Sequence, residues 1–168
     1  MAKTYEPIST TTLATATGTV TFSSVPQTYT DLVLVTVFAT ATINEDLAVR
    51  FNSDTGSNYS RTHLRGNGST ASSSTATSQN LLLLDVDSSG STLNTGLQTV
   101  THFMNYANTS IQKSVLSRSG TLGGSYTGTS LIAGLWRDTT AISTIGLFCT
   151  SGNFVSGSTF TLYGIKAA

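Results

Sequence analysis

Charge is the scarcest commodity in this 168-residue chain: only 10% of residues are Asp, Glu, Lys or Arg, well under the usual quarter. Eight acids balance eight bases, giving a formal net charge of zero. A nucleic-acid binder carries a basic excess or a basic stripe, and none is visible. Near-zero charge also removes the repulsion that keeps copies apart, which suits a protein that assembles. The single cysteine, Cys149, excludes an internal disulfide framework and any zinc site built on several cysteines. It lies in the apolar run Ile145-Gly146-Leu147-Phe148-Cys149, where a small buried hydrophobe is expected. No apolar run approaches the ~20 residues that span a bilayer as a helix, so no membrane insertion is expected. The start MAKTYEPIS lacks the apolar region of a secretory signal. The sequons at Asn58, Asn67 and Asn108 therefore read as by-products of a chain rich in Ser, Thr and Asn.

Catalytic chemistry is equally thin. His63 and His102 are the only histidines, and neither stands in an HExxH, HxH or HxxxH arrangement. Serines abound, but no G-x-S-x-G elbow occurs, and Cys149 has no basic neighbour in sequence. Asp85 and Asp87 are two apart and would share a strand face, as an acid–base or calcium pair does. Without a third acid nearby, a solvated strand end is the simpler reading. Asn52, Asp54 and Asn58 offer oxygens of the kind calcium takes, yet Asx turns explain them at less cost. We expect no enzyme activity, no cofactor and no metal.

What the chain does have is hydroxyl groups and strand formers. Ser and Thr make up roughly a third of it, far above average usage; Thr is β-branched and favours strands. Residues 1–16 read as an N-terminal arm or edge strand, with Pro7 unwelcome in a central one, and 17–168 as one domain. Gly18–Val25 alternates, with Val20 and Phe22 on one face. Asp31–Thr40, DLVLVTVFAT, is apolar on both faces, which marks a central strand. Leu47–Phe51 and Tyr59–Leu64 follow. Gly66–Asn80 reads as a low-complexity loop, mobile or ordered only by a neighbour. Leu81–Val86, Leu97–Tyr106, Ile111–Ser117, Ser130–Arg137, Ile142–Cys149 and Thr159–Ile165 complete about ten strands. Turn signals recur between them, Gly120–Gly128 included, and no window supports a long amphipathic helix. Many short, evenly spaced strands predict an all-β sandwich or barrel.

The stretch Arg50–Ser69, RFNSDTGSNYSRTHLRGNGS, stands out against this background. It gathers Arg50, Arg61, His63 and Arg65 around two turns. Tyr59, Arg61, His63 and Arg65 fall two apart, so in a strand they share one face. We read that face as a candidate interface. Trp136 and Arg137, ending another strand, read first as a core or rim tryptophan with a local ion pair, and otherwise as a sugar-stacking platform or interface anchor, because Trp, Tyr and Arg dominate binding hot spots; Tyr59, Arg61 and Arg65 allow the same two readings.

One resemblance extends over nearly the whole chain. Thr21-Phe22-Ser23-Ser24-Val25-Pro26, then Tyr29-Thr30-Asp31-Leu32-Val33-Leu34-Val35, RFNSDTGSNYS, Met104-Asn105-Tyr106, GLWR and the ending GSTFTLYGIKAA look like a family of small structural proteins of tailed-phage virions. Such sequences are frequent in cyanophages and marine phages, as whole proteins or as modules of tail proteins. The resemblance implies a jelly-roll-like sandwich of about 8–10 strands with long loops. It also implies a place in the virion, on the outer surface of the capsid or in the tail, after synthesis in the host cytoplasm. It carries no catalytic residues to transfer. A capsid decoration, or cement, protein is the leading reading, with copies of itself (a dimer or trimer) and the major capsid protein or other virion proteins as partners. The alternative is a tail-fibre module that reads host glycans. The chain has no heptad or repeat region for a fibre shaft, which favours decoration.

Overall fold

Period-two alternation of apolar and hydroxyl side chains produces the elements. The structure is a computed structural model and describes residues 4–42, 45–86, 92–93, 96–123 and 126–166. Among the described residues there are twelve strands: β1 Tyr5–Thr12, β2 Thr19–Phe22, β3 Asp31–Phe38, β4 Leu47–Phe51, β5 Tyr59–Gly66 and β6 Ala71–Gln79, then β7 Leu82–Leu83, β8 Leu97–Met104, β9 Lys113–Gly123, β10 Tyr126–Trp136, β11 Ile145–Cys149 and β12 Thr159–Ile165. They form an eight-stranded sheet, β1-β12-β3-β8-β9-β10-β5-β6, and a four-stranded sheet, β2-β11-β4-β7. Every pairing is antiparallel. The chain is an all-β sandwich.

The core lies between the sheets. Leu32, Leu34 and Phe38 of β3, Phe160 and Leu162 of β12, Phe103 of β8 and Trp136 of β10 face Val20, Phe22, Leu47, Val49, Phe51, Ile145 and Leu147 of the small sheet. Burying one such side chain stabilises by about 1.5–3 kcal/mol. Hydroxyls also enter this interior, six of them in pairs across neighbouring strands. Thr36 and Thr99 lie 2.8 Å apart, Thr101 and Ser117 2.7 Å, and Ser119 and Ser130 2.6 Å. Each pair sits on neighbouring strands, so burial leaves neither partner unsatisfied. Where β10 meets β7 of the small sheet, a side chain is excluded altogether. A Cβ on Gly134 would stand 2.7 Å from both terminal methyls of Leu82. The ring of Tyr29 likewise occupies the space beside Gly164.

Four features differ from the sequence expectations. Ala71–Gln79, expected as a loop, is the edge strand β6. It needs no apolar residues, because its backbone is held by β5 and its side chains are mostly exposed. The turn expected across Gly120–Gly128 is narrower, since β9 runs to Gly123 and β10 starts at Tyr126. The strand expected over Leu81–Val86 shrinks to Leu82–Leu83. There the Asp85 carboxylate accepts the Leu47 N–H at 2.7 Å, so a side chain replaces the next rung of the ladder. Asp87 lies outside the described residues. Finally, twelve strands replace about ten, the extra ones being short or polar. As expected, β1 is an edge strand, and Asp31–Phe38 is interior, flanked by β12 and β8.

The Gly134 contact yields the first prediction. Gly134→Ala should cost about 1–3 kcal/mol through overpacking against Leu82. A denaturant titration should show a lower midpoint with an unchanged β-type circular dichroism spectrum. An unshifted midpoint would mean that the sheets are not closed at this point.

Candidate functional site

The loop between β4 and β5 is built by its Asn and Asp side chains. Asn52 and Ser53 take φ values of 51° and 59°, a left-handed conformation that Asn tolerates better than most residues. Asn52 Oδ1 accepts the N–H groups of Ser143 and Thr144 at 2.9 and 3.1 Å. Asp54 Oδ1 accepts the Gly56 N–H at 2.7 Å, while its Oδ2 accepts Asn58 Nδ2 at 2.9 Å and Trp136 Nε1 at 2.7 Å. Burial alone would raise the Asp54 pKa, but the hydrogen bonds from Trp136, Asn58 and Gly56 outweigh it and hold the group below 3.8. The oxygens that offered a calcium reading are thus engaged in shaping the turn and in seating a tryptophan.

The candidate interface residues divide into two groups. Tyr59 and Trp136 belong to the core, at 0% and 1% exposure, so neither presents a surface to a partner. Their rings stack with centroids 6.3 Å apart, and Phe51 from the small sheet lies 5.4 Å from Trp136. The Tyr59 hydroxyl accepts the Phe51 N–H at 3.0 Å, and burial pushes its pKa up to about 12. Arg137 turns back along the loop, donating to Ser60 Oγ at 3.1 Å and Ser57 O at 2.6 Å. Sequence spacing put all these aromatic and basic residues at strand ends; only packing shows that the strand ends are covered.

Arg61, His63 and Arg65 do share one face with Tyr59, as the spacing predicts. They pair with Gly134, Ile132 and Ser130 of β10, all of which are buried. That face therefore points inward. The small sheet ends at β7, so these three half-buried side chains line the rim of the sandwich. Arg61 Nε is buried without a hydrogen-bond partner. Burial lowers the Arg61 pKa, and the charge of Asp46 opposes the shift. His102 pairs with Leu116, on the opposite face of the sheet from His63, so the two histidines cannot share an ion. Burial raises the Cys149 pKa to about 12, helped by Glu45 and Asp85, which removes thiolate character at neutral pH.

Two features escaped the sequence reading. Lys113 is fully buried, and its ammonium donates to the carbonyls of Asn108, Ile111 and Thr139 at 2.5, 2.8 and 2.9 Å. It ties two loops together. The second feature is the outer face of the large sheet. Outer faces of antiparallel sheets are normally polar, yet this one carries Val37, Leu116, Leu131 and Leu64 at 39, 40, 41 and 54% exposure. Val35, Val100, Met104, Ala133 and Leu135 share it by register. Arg118 stands among them, exposed. At one corner a shallow groove of about 620 Å³ runs over Leu64 and Leu131 beside Arg118. The signal was legible in Ser130–Trp136, where Leu131, Ala133 and Leu135 alternate with the inward Ser130, Ile132, Gly134 and Trp136.

A second groove, of about 470 Å³, crosses the outer face of the small sheet. Gly146 and Phe148 line it from the central strand β11, with Thr19 and Thr21 of β2 on one side and Arg50 of β4 on the other. The Arg50 guanidinium lies 4.8 Å from the centre of the Phe148 ring. Among the described residues no three His, Cys, Asp or Glu side chains come together as a metal would require.

Asp54 supplies a two-part prediction. Asp54→Ala should destabilise by about 1–3 kcal/mol, because it leaves the buried Trp136 indole N–H unsatisfied. The carboxylate's own contribution is present above the unfolded pKa of 3.8 and is lost as pH falls through the lower folded value. Fluorescence of Trp136, the one tryptophan, should report this acid-dependent loss, and Asp54→Asn, which does not titrate, should lack it. Equal acid sensitivity in wild type and Asp54→Asn would overturn the assignment.

Comparison with protein-family models, with curated proteins and with solved structures finds no match for this chain.

Proposed function

We propose that this chain is a non-enzymatic structural protein of a tailed-phage virion, a decoration or cement protein that binds the capsid's outer surface through protein–protein contacts. The observation that carries the proposal is the apolar outer face of the eight-stranded sheet. Eight strands at about 4.8 Å spacing and about seven residues at 3.3 Å give a face on the order of 800 Å², the per-partner size of a standard stable interface. Leu64, Leu116, Leu131 and Val37 alone expose roughly 300 Å², the scale at which a patch on a monomer marks a contact site. Arg118 gives the face one positive charge, so a complementary surface is apolar with a carboxylate opposite it. The resemblance to virion proteins supplies the setting, and the jelly-roll-like winding it implies is part of this reading. A sheet face held rigidly by its own ladder binds with little ordering cost, as a cement that adds contact area to a shell requires.

The groove on the small sheet favours a second reading, a receptor-binding module for host glycans. Its hydroxyls, Arg50 and Phe148 offer the polar and aromatic groups that sugar recognition uses. The first reading ranks higher because the Phe148 ring already carries a guanidinium.

The test uses capsids depleted of the protein. Added wild-type chain should bind and restore heat resistance. Leu116→Asp, an exposed site, should weaken binding by at least about tenfold, or ~1.4 kcal/mol, without lowering the melting temperature. Undiminished binding by Leu116→Asp would remove the sheet face from the contact, and binding on a glycan array with none to capsids would replace the first reading by the second.

A further inference from the structure

The two ends of the eight-stranded sheet are built differently. At one end, β1 carries the devices that stop an edge from pairing. Pro7 has no N–H, the register shifts between Pro7 and Ser9, and Glu6 is held in an ion pair with Lys166 at 3.0 Å. At the other end, β6 reads ASSSTATSQ over nine residues. It has no proline and no charge; its pairing with β5 is regular from Ala71 to Ala76 and shifts only beyond that, where Ser78 takes a φ of 56°. Every side chain from Ala71 to Thr75 is exposed. An edge strand turns alternate N–H and C=O groups away from its partner and leaves them ready to pair with another chain.

We propose that β6 pairs with β6 of a second copy, antiparallel about a two-fold axis, so that two eight-stranded sheets become one continuous sheet. A β6-to-β1 contact would be head-to-tail and would propagate as an open filament, and the guarded β1 edge opposes it. Two β6 edges are identical and close on themselves. The side chains suit self-pairing, since opposed Thr and Ser residues hydrogen-bond across antiparallel strands. This chain already uses that pairing at Thr62–Thr75 (3.3 Å), Thr10–Thr161 (3.1 Å) and Thr12–Thr159 (3.3 Å). The absence of charge on β6 means that no repulsion opposes the symmetric contact.

The pairing has a consequence for the apolar face. Leu64 lies one strand in from the β6 edge, opposite Ser73, so joining the edges places the outer faces of both copies side by side and doubles the docking area. The six residues of the regular segment, Ala71 to Ala76, span about 20 Å and bury a few hundred Å² at most, below the roughly 1,000 Å² of a stable interface. The dimer therefore forms in a concentration-dependent way and strengthens where copies are crowded on a common surface. The inference deepens the reading above by naming one partner, a second copy, and rests on it only for that crowding.

Sedimentation velocity over about a hundredfold range of concentration tests it. The apparent mass should rise from 17.5 kDa toward twice that value. A Ser73→Lys/Thr75→Lys double variant, altered only at exposed positions, should stay monomeric with an unchanged melting temperature. Under oxidising conditions Ser73→Cys, near the middle of the regular segment, should cross-link into a disulfide dimer, while Leu116→Cys should not. A chain that is monomeric throughout, a dimer that the lysines leave intact, or cross-linking through Leu116→Cys alone would each overturn the inference. Leu116→Asp leaves β6 untouched, so a chain that dimerises without binding capsids leaves this inference standing and removes the one above.

Discussion

The sandwich depends on how Phe51 of the small sheet is held against the large one. Its ring lies 5.4 Å from both Phe103 and Trp136, and its N–H is bound by the Tyr59 hydroxyl at 3.0 Å. One residue thus joins the sheets by packing and by a buried hydrogen bond. Such buried polar links raise the cost of every alternative packing, because separating the partners leaves a donor unsatisfied. Asp54 extends the link by seating the Trp136 indole at 2.7 Å, and Arg137 ties down the same loop. The residues that looked most like a binding surface turn out to be the closure of the core.

A chain with so few charges needs another way to handle polarity, and the hydroxyls provide it twice over. Inside, Thr36–Thr99, Thr101–Ser117 and Ser119–Ser130 pair across strands, so the sheet carries buried polar groups at little net cost. Outside, Thr and Ser dress the edge strands. Burial in this fold is therefore decided by partner geometry more than by residue type. Lys113 is the extreme case: its three carbonyl partners allow a cation to sit where a leucine would be expected. Burial lowers its pKa, with the Asp138 charge opposing.

With the aromatic and basic candidates drawn inward, the surface open to partners is of a different kind. It is a broad sheet face of aliphatic side chains around Arg118, bounded on one side by an uncharged edge. Both suit contact, the face through area and the edge through backbone hydrogen bonds, and they lie next to each other on the same sheet.

By itself the sequence determined the class of fold, the interior place of Asp31–Phe38 and the edge character of the N-terminal strand. These follow from alternation, from β-branching and from Pro7, which act locally and need no knowledge of what lies opposite. It also determined that Tyr59, Arg61, His63 and Arg65 share a face, because side-chain direction has period two in any strand. Only the tertiary structure decided which way that face points, since a sheet's two sides are equivalent until another layer covers one. The same asymmetry turned Trp136 into core, exposed Leu64, Leu116 and Leu131, and made a strand of Ala71–Gln79. A polar stretch has no pattern of its own to announce a strand. It becomes one when β5 offers it a row of unpaired backbone groups.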